Sequence, residues 1–208
     1  MKPILIKQRR VSPVITLLWL GVTVGGTIAM MCYSLKPGLT GTPPSEWPAA
    51  SKVVPSADGP TLLMFVHPKC PCSDASVGEL ALLMAHCKGH VKVHVFFVKP
   101  PGQTTNWVLT SMWRKASQIP GVAVARDDDG REARLFGAAT SGGVALFDVH
   151  GQLRFHGGIT AGRGHSGDNS GRDAIQALIL DGTSAVTQTP VFGCDLFECR
   201  ANGQKGPP

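Results

Sequence analysis

Cys70 and Cys72 stand one residue apart in the stretch FVHPKCPCS, with Pro71 between them, Lys69 beside the first and His67 three residues before it. Two thiols this close can do three things. One can attack a disulfide as a thiolate while the other resolves the bond. Both, with the His67 imidazole, can offer soft S and N ligands that suit copper or zinc. Or they can be structural thiols on a tight turn. The spacing alone leaves all three open, so the elements that position the pair must be weighed.

Upstream, residues 61–67 (TLLMFVH) form a short apolar run that reads as a buried strand. Downstream, Val77, Leu80, Ala81, Met84 and Cys87 recur at helical spacing. Cys70 therefore falls where a strand ends and a helix begins. Unpaired amides and the helix dipole favour an anion there. With the Lys69 charge next door, the thiol is expected to drop from about 8.5 into the range of about 3.5–7.5 known at such sites. Pro71 suits the first turn, where its missing N–H costs nothing. Cys72 turns away from the helix axis and gains less. Cys70 is the expected nucleophile, with Cys72 as one candidate for the resolving thiol.

Two later stretches carry further candidates. The segment GGITAGRGHSGDNSG, residues 157–171, is long for a loop and sets Arg163, His165, Asp168 and Asn169 among six glycines. Arg163 could stabilise a thiolate or bind an anionic substrate, and His165 could relay protons or ligate a metal. The plainer expectation is a capping loop in which Asp168 and Asn169 satisfy amides ahead of the last helix. Cys194 ends TPVFGC, beyond that helix. It either lies in a surface strap, bonded to Cys199, or folds back towards Cys70 as the resolving thiol; connectivity is not readable from sequence. Cys87 lies on an apolar helical stripe and reads as core.

The chain has 208 residues, enough for one ordinary domain and extra segments, and it is apolar enough to pack a core. Its net charge of +6 is concentrated at one end. Residues 1–36 hold five of the 20 Lys and Arg and no acid, which leaves 15 bases against 14 acids elsewhere. A folded domain so nearly neutral shows no basic patch of the kind a nucleic-acid reader needs, so no nucleic-acid partner is expected. Residues 14–33 are free of charge and long enough to cross a bilayer. The preceding KQRR puts residues 1–13 in the cytoplasm and the rest outside, in the periplasm or its equivalent. A cleaved signal peptide is the rival reading, but the segment has no clear A-x-A site. In an extracytoplasmic space disulfides form and persist.

After this anchor the sequence divides into a Pro-rich linker, residues 34–60, a folded domain, residues 61–194, and a flexible tail, residues 195–208. A bare linker has little use for Trp47, which is expected to dock on the domain. Within the domain the apolar patterns give the order β-α-β-α-β-α-β-β-α. That order argues for an α/β fold, a mixed central sheet with helices on both faces: parallel strands first, then an antiparallel hairpin.

A strand leading into a Cys-bearing turn and a helix, with a hairpin late in the chain, resembles the thioredoxin-like fold. The piece GVAVARDDDGREARLFG resembles the extra strand and helix of membrane-anchored thiol-disulfide oxidoreductases and peroxiredoxins. More narrowly, HPKCPCS, GGITAGRGHSGDN and TPVFGC together resemble the bacterial RedB-type proteins over most of residues 60–194. The resemblance implies a membrane-anchored thiol-disulfide oxidoreductase whose partner is a protein disulfide or dithiol, or a small oxidant. It departs from the family pattern in two places. The thioredoxin motif is C-x-x-C, and Ser73 stands where its second cysteine falls. The proline that thioredoxins set before the hairpin is replaced by Ser141 and Gly142. Three functional readings follow: an oxidoreductase built on Cys70 with Cys72 or Cys194, a copper or zinc site on His67, Cys70 and Cys72, or a redox-inert interaction module.

Overall fold

The structure is a computed structural model that describes residues 12–39 and 41–197. The basic run at Lys7, Arg9 and Arg10, the Cys199 thiol and the rest of the expected tail lie outside the described residues. The described residues fall into two compact units, one ending at Ser34 and the other beginning at Leu35.

Among the described residues the first unit contains one helix, α1 (Pro13–Ser34), with no buried residue. Its 22 residues are long and apolar enough to span a membrane.

The second unit holds β1 (Thr61–Val66), α2 (Cys72–Cys87), β2 (Lys92–Lys99), α3 (Ser111–Ser117), β3 (Val122–Asp128), α4 (Arg131–Leu135), β4 (Gly143–Phe147), β5 (Leu153–Gly158) and α5 (Ser170–Leu180). The sheet order is β3-β2-β1-β4-β5. Strands β1, β2 and β3 run parallel, whereas β4 pairs antiparallel with β1 and β5 antiparallel with β4. The expected mixed α/β architecture is therefore the observed one.

Strand alternation divides the core between two faces. Leu62, Met64, Val66, Val93, Val95 and Phe97 face α2, α3 and α5. Leu63, Phe65, Phe96 and Val98 face α4, Phe136 and Trp47. Cys87 is fully buried in the first of these clusters, as its place on the stripe predicted. Val108, Leu109, Met112, Trp113 and Ala116 recur at helical spacing in the sequence, which predicts a helix from Val108, and the structure differs. Val108 and Leu109 belong to no helix; a 3-10 turn (Thr105–Trp107) precedes them, and α3 begins only after Thr110, whose side chain accepts from the Trp113 amide. Val108 is buried there, but Leu109 points to solvent.

The Pro-rich segment is part of the domain surface. Trp47 stacks edge-on against Phe136 and Phe147, and its indole N–H donates to the Val53 carbonyl at 3.1 Å. The buried Glu132 carboxylate accepts from the Ser51 hydroxyl at 2.7 Å and the Lys52 amide at 3.0 Å. Residues 195–197, expected in a flexible tail, are packed as well. Leu196 is buried in the second cluster, its amide bonded to the Ala139 carbonyl, and Arg134 lies over the Phe197 ring.

Candidate functional site

At the C-terminal end of β1 the chain turns sharply. The Cys70 amide donates to the His67 carbonyl, the Ser73 amide to the Cys70 carbonyl, and α2 starts at Cys72 with Pro71 at its cap. This turn buries the Cys70 side chain to 1% exposure and leaves Cys72 half-buried. The segment after α5 then returns across the end of the sheet. Its Thr189 amide bonds to His156 on β5, and further along Ser141 N–H donates to the Cys194 carbonyl at 2.8 Å. The return brings Cys194 against Cys70, its amide donating to the Cys70 sulfur at 3.4 Å. The sulfurs of Cys70, Cys72 and Cys194 all lie within 4.8 Å of one another.

The electrostatics rank the three thiols. Burial pushes Cys70 up, but the Ser73 hydroxyl, the Cys194 thiol and the amides of both residues outweigh it and leave Cys70 below its ordinary value. Cys72 is raised, first by burial and then by the neighbouring Cys70 charge, with Arg163 acting the other way. Cys194 is pushed up to about 12 by burial, by its hydrogen bond to Cys70 and by the charges of Cys70 and Cys72. Of the three, the Cys70 thiolate is thus the one its surroundings favour, with both neighbours pushed towards the protonated form.

The source of that thiolate's stability differs from the expected one. Lys69 is not aimed at Cys70; its ammonium sits 3.2 Å above the Trp107 ring. The donors come instead through a chain of hydroxyls. The His67 amide donates to Ser141 Oγ at 2.7 Å, and Ser141 and Ser73 share a hydrogen bond of 2.6 Å. Either hydroxyl of that pair can donate to the other; when Ser141 donates, the Ser73 proton is left for the Cys70 sulfur. The two positions that depart from the thioredoxin pattern are the two that supply this chain.

Arg163 reaches the site from the glycine-rich loop. It donates to the Gly193 carbonyl at 2.6 Å and the Lys36 carbonyl at 3.0 Å, and its charge acts on Cys72 and Cys194. It clamps the residue before Cys194. His165 is not brought in: its exposed ring bonds to the Arg163 carbonyl at 3.1 Å. His67 is buried but stands outside the sulfur cluster. Its Nδ1 accepts from the Lys69 amide at 3.2 Å, and its ring meets the edge of Trp107. Asn169 is the helix cap that the plainer expectation described, accepting from the Arg172 amide at 2.8 Å.

Sequence reasoning missed Glu79. This fully buried carboxylate on α2 pairs with Arg172 and accepts from the Gly167 amide at 2.8 Å and the Asn169 side chain at 3.3 Å. It ties down the loop that carries Arg163. An acid among Ser76, Val77, Leu80 and Leu83 is the only signal the sequence offered. Gly193 was missed too. A Cβ there would run into the Ser141 carbonyl oxygen, a backbone atom with nowhere to go. Gly193→Ala is expected to push the returning segment off the site at a cost of about 1–3 kcal/mol. Formation of the Cys70–Cys194 bond should fall about tenfold to a hundredfold, while alkylation of Cys70 stays as fast or quickens. Quantitative thiol labelling after mild oxidation reads both.

The sheet order and strand directions give the second unit a thioredoxin-like fold, with Cys70 at the end of β1. No protein-family model matches the chain, and no curated protein matches it. Among solved structures it is similar to a hypothetical protein from Sinorhizobium meliloti 1021 at 22% identity, covering 79% of this chain and 97% of that one, with a TM-score of 0.58. An uncharacterized conserved protein from Geobacillus kaustophilus aligns at 19% identity over 80% of this chain and 95% of that one, TM-score 0.56. StoA from Bacillus subtilis aligns at 13% identity over 67% of this chain and 97% of that one, TM-score 0.44. The first two are likenesses of fold.

Proposed function

We propose that this protein is a membrane-anchored thiol-disulfide oxidoreductase of the extracytoplasmic face, of the RedB type, with Cys70 as nucleophile and Cys194 as resolving thiol. The observation that carries the reading is the contact between a buried, hydrogen-bonded Cys70 sulfur and Cys194. The three motifs behind the RedB resemblance support it, because HPKCPCS, the Arg163 loop and TPVFGC meet at this one point.

The Cys70 thiolate attacks one sulfur of a partner disulfide. The partner's other sulfur leaves as a thiolate and takes up a proton. Cys194 then loses its proton and attacks the Cys70 sulfur, expelling the partner's second thiolate. The partner's second thiolate takes up the proton that Cys70 gave up on ionising, so that, counted from the two thiols, two electrons and two protons have passed to the partner disulfide; the reverse sequence oxidises a partner dithiol. The high pKa of Cys194 times these steps. Burial is the largest cause, and the hydrogen bond to Cys70 and the charges of Cys70 and Cys72 add to it. Once Cys70 is tied up in a mixed disulfide its charge is gone, and Arg163 is left to favour Cys194 ionisation.

A pH series tests the nucleophile. In the reduced full-length protein, Cys70 alkylation should titrate with an inflection below that of an ordinary thiol. Ser73→Ala removes a donor to the thiolate, so the inflection should move to higher pH. Below the wild-type inflection the rate should fall about tenfold, the weight of one hydrogen bond to a charged group. An inflection unchanged by Ser73→Ala would remove the hydroxyl chain from the account. Cys70 alkylating no faster than Cys72 near neutral pH would remove Cys70 as the attacking thiol.

A further inference from the structure

The position of Cys72 is not explained by a two-thiol exchange between Cys70 and Cys194. Its sulfur stands beside both, on the side facing Arg163. A metal with bonds to sulfur of about 2.3 Å, placed at the centre of a triangle of sulfurs, holds them about 4 Å apart. The three sulfurs here all lie within 4.8 Å of one another, so small side-chain adjustments would bring them into that geometry. Among the described residues, no imidazole or carboxylate joins the set. His67, expected as the nitrogen ligand, has Nδ1 occupied by the Lys69 amide, and its buried Nε2, which has no hydrogen-bond partner, lies outside the sulfur cluster.

We propose that Cys70, Cys72 and Cys194 form a three-thiolate site for Cu(I). Soft thiolates favour Cu(I), which accepts three-coordination, whereas zinc in proteins takes four ligands almost always. Two ligands come from one turn and the third from a segment 124 residues away, so the site is complete only when the returning segment is docked. Binding replaces three thiol protons by one monovalent cation and leaves the site with two negative charges. Arg163, the Cys194 amide and the Ser73 hydroxyl surround the sulfurs with positive charge and donors that offset them. The same sulfurs serve the exchange chemistry, so loading depends on redox state. When a partner disulfide takes two electrons from Cys70 and Cys194 and leaves them bonded to each other, two of the three ligands are lost.

The test uses the full-length protein in detergent, reduced and without oxygen, titrated with Cu(I) against a chromophoric Cu(I) chelator. One ion per chain is expected, with X-ray absorption showing three sulfur neighbours and no nitrogen. Cys194→Ser should leave two sulfurs and lower affinity more than about 100-fold, beyond what a supporting partner of a metal ligand is worth. His67→Ala should change neither quantity, and protein carrying the Cys70–Cys194 disulfide should retain no copper. The site is refuted if Cys194→Ser binds as tightly as wild type, if His67→Ala loosens the ion, or if the chelator strips wild type completely. Zinc held tightly by protein that does not retain Cu(I) refutes it as well. Mixed-disulfide trapping on metal-free protein reads the Cys70 reaction separately, so a failure of copper binding with trapping intact overturns the metal site alone.

Discussion

Cys194→Ser is expected to hold its partner as a stable mixed disulfide on Cys70, visible as a band shift that a reductant reverses. Cys70→Ser should give no such species, and its rate of reaction with a model disulfide should fall to that of an exposed thiol. The reason lies in the order of the three pKa values. Only Cys70 is below its ordinary value, and the thiolate is the attacking form. Cys72→Ser should still trap transiently and still release, because the Cys194 amide and sulfur contact Cys70 without it. Accumulation in Cys72→Ser rather than in Cys194→Ser would reverse the two roles and return the resolving step to the C-P-C pair. Trapping in neither would remove the exchange reaction itself.

Glu79→Ala should produce the largest loss of stability of any single change near the site. The carboxylate is fully buried and pairs with Arg172, which is itself 15% exposed, and it also accepts from Gly167 and Asn169. Arg172 keeps the exposed Asp168 and Asp173 carboxylates, but the Gly167 amide and the Asn169 side chain lose their buried acceptor, at a cost of about 3 kcal/mol in all. In a domain of this size that is a fall in Tm of roughly 10 °C. Glu79→Gln keeps an acceptor for the Gly167 amide and should lose less. The effect should reach the thiols, because the loop Glu79 anchors carries Arg163, which holds Gly193. Slower closure of the Cys70–Cys194 bond in Glu79→Gln, at a temperature where the variant is fully folded, would trace that path. Closure at the wild-type rate would show that the loop is held without Glu79.

The elements were legible because each is a local pattern. Thr61–Val66 is an unbroken apolar run, Val77 to Cys87 repeats at helical spacing, and the hairpin is marked by Gly151 at its turn. The misplaced start of α3 shows the limit of such patterns. Val108 and Leu109 fit a helical stripe in one dimension, yet the Thr110 cap starts the helix after them. Trp47 signalled a docked segment, but its partners Phe136 and Phe147 lie about 90 to 100 residues away.

By itself the sequence determined the order of strands and helices, the apolar N-terminal segment, and Cys70 as the thiol at a strand-to-helix turn. All of these depend on residues close together in the chain. Tertiary structure alone decided which groups share the site. Cys194 became the neighbour of Cys70 because Gly193 lets the returning segment close on Ser141 and Arg163 grips it there. Ser73 became a thiolate donor with Ser141 behind it because β4 pairs with β1 and the two hydroxyls meet at 2.6 Å. Lys69 and His165, plausible from adjacency and residue type, were drawn to an aromatic ring and a backbone carbonyl. Hydrogen bonds act over about 3 Å and charge effects over about 10 Å, and proximity in sequence does not determine which distant residues the fold brings within those ranges.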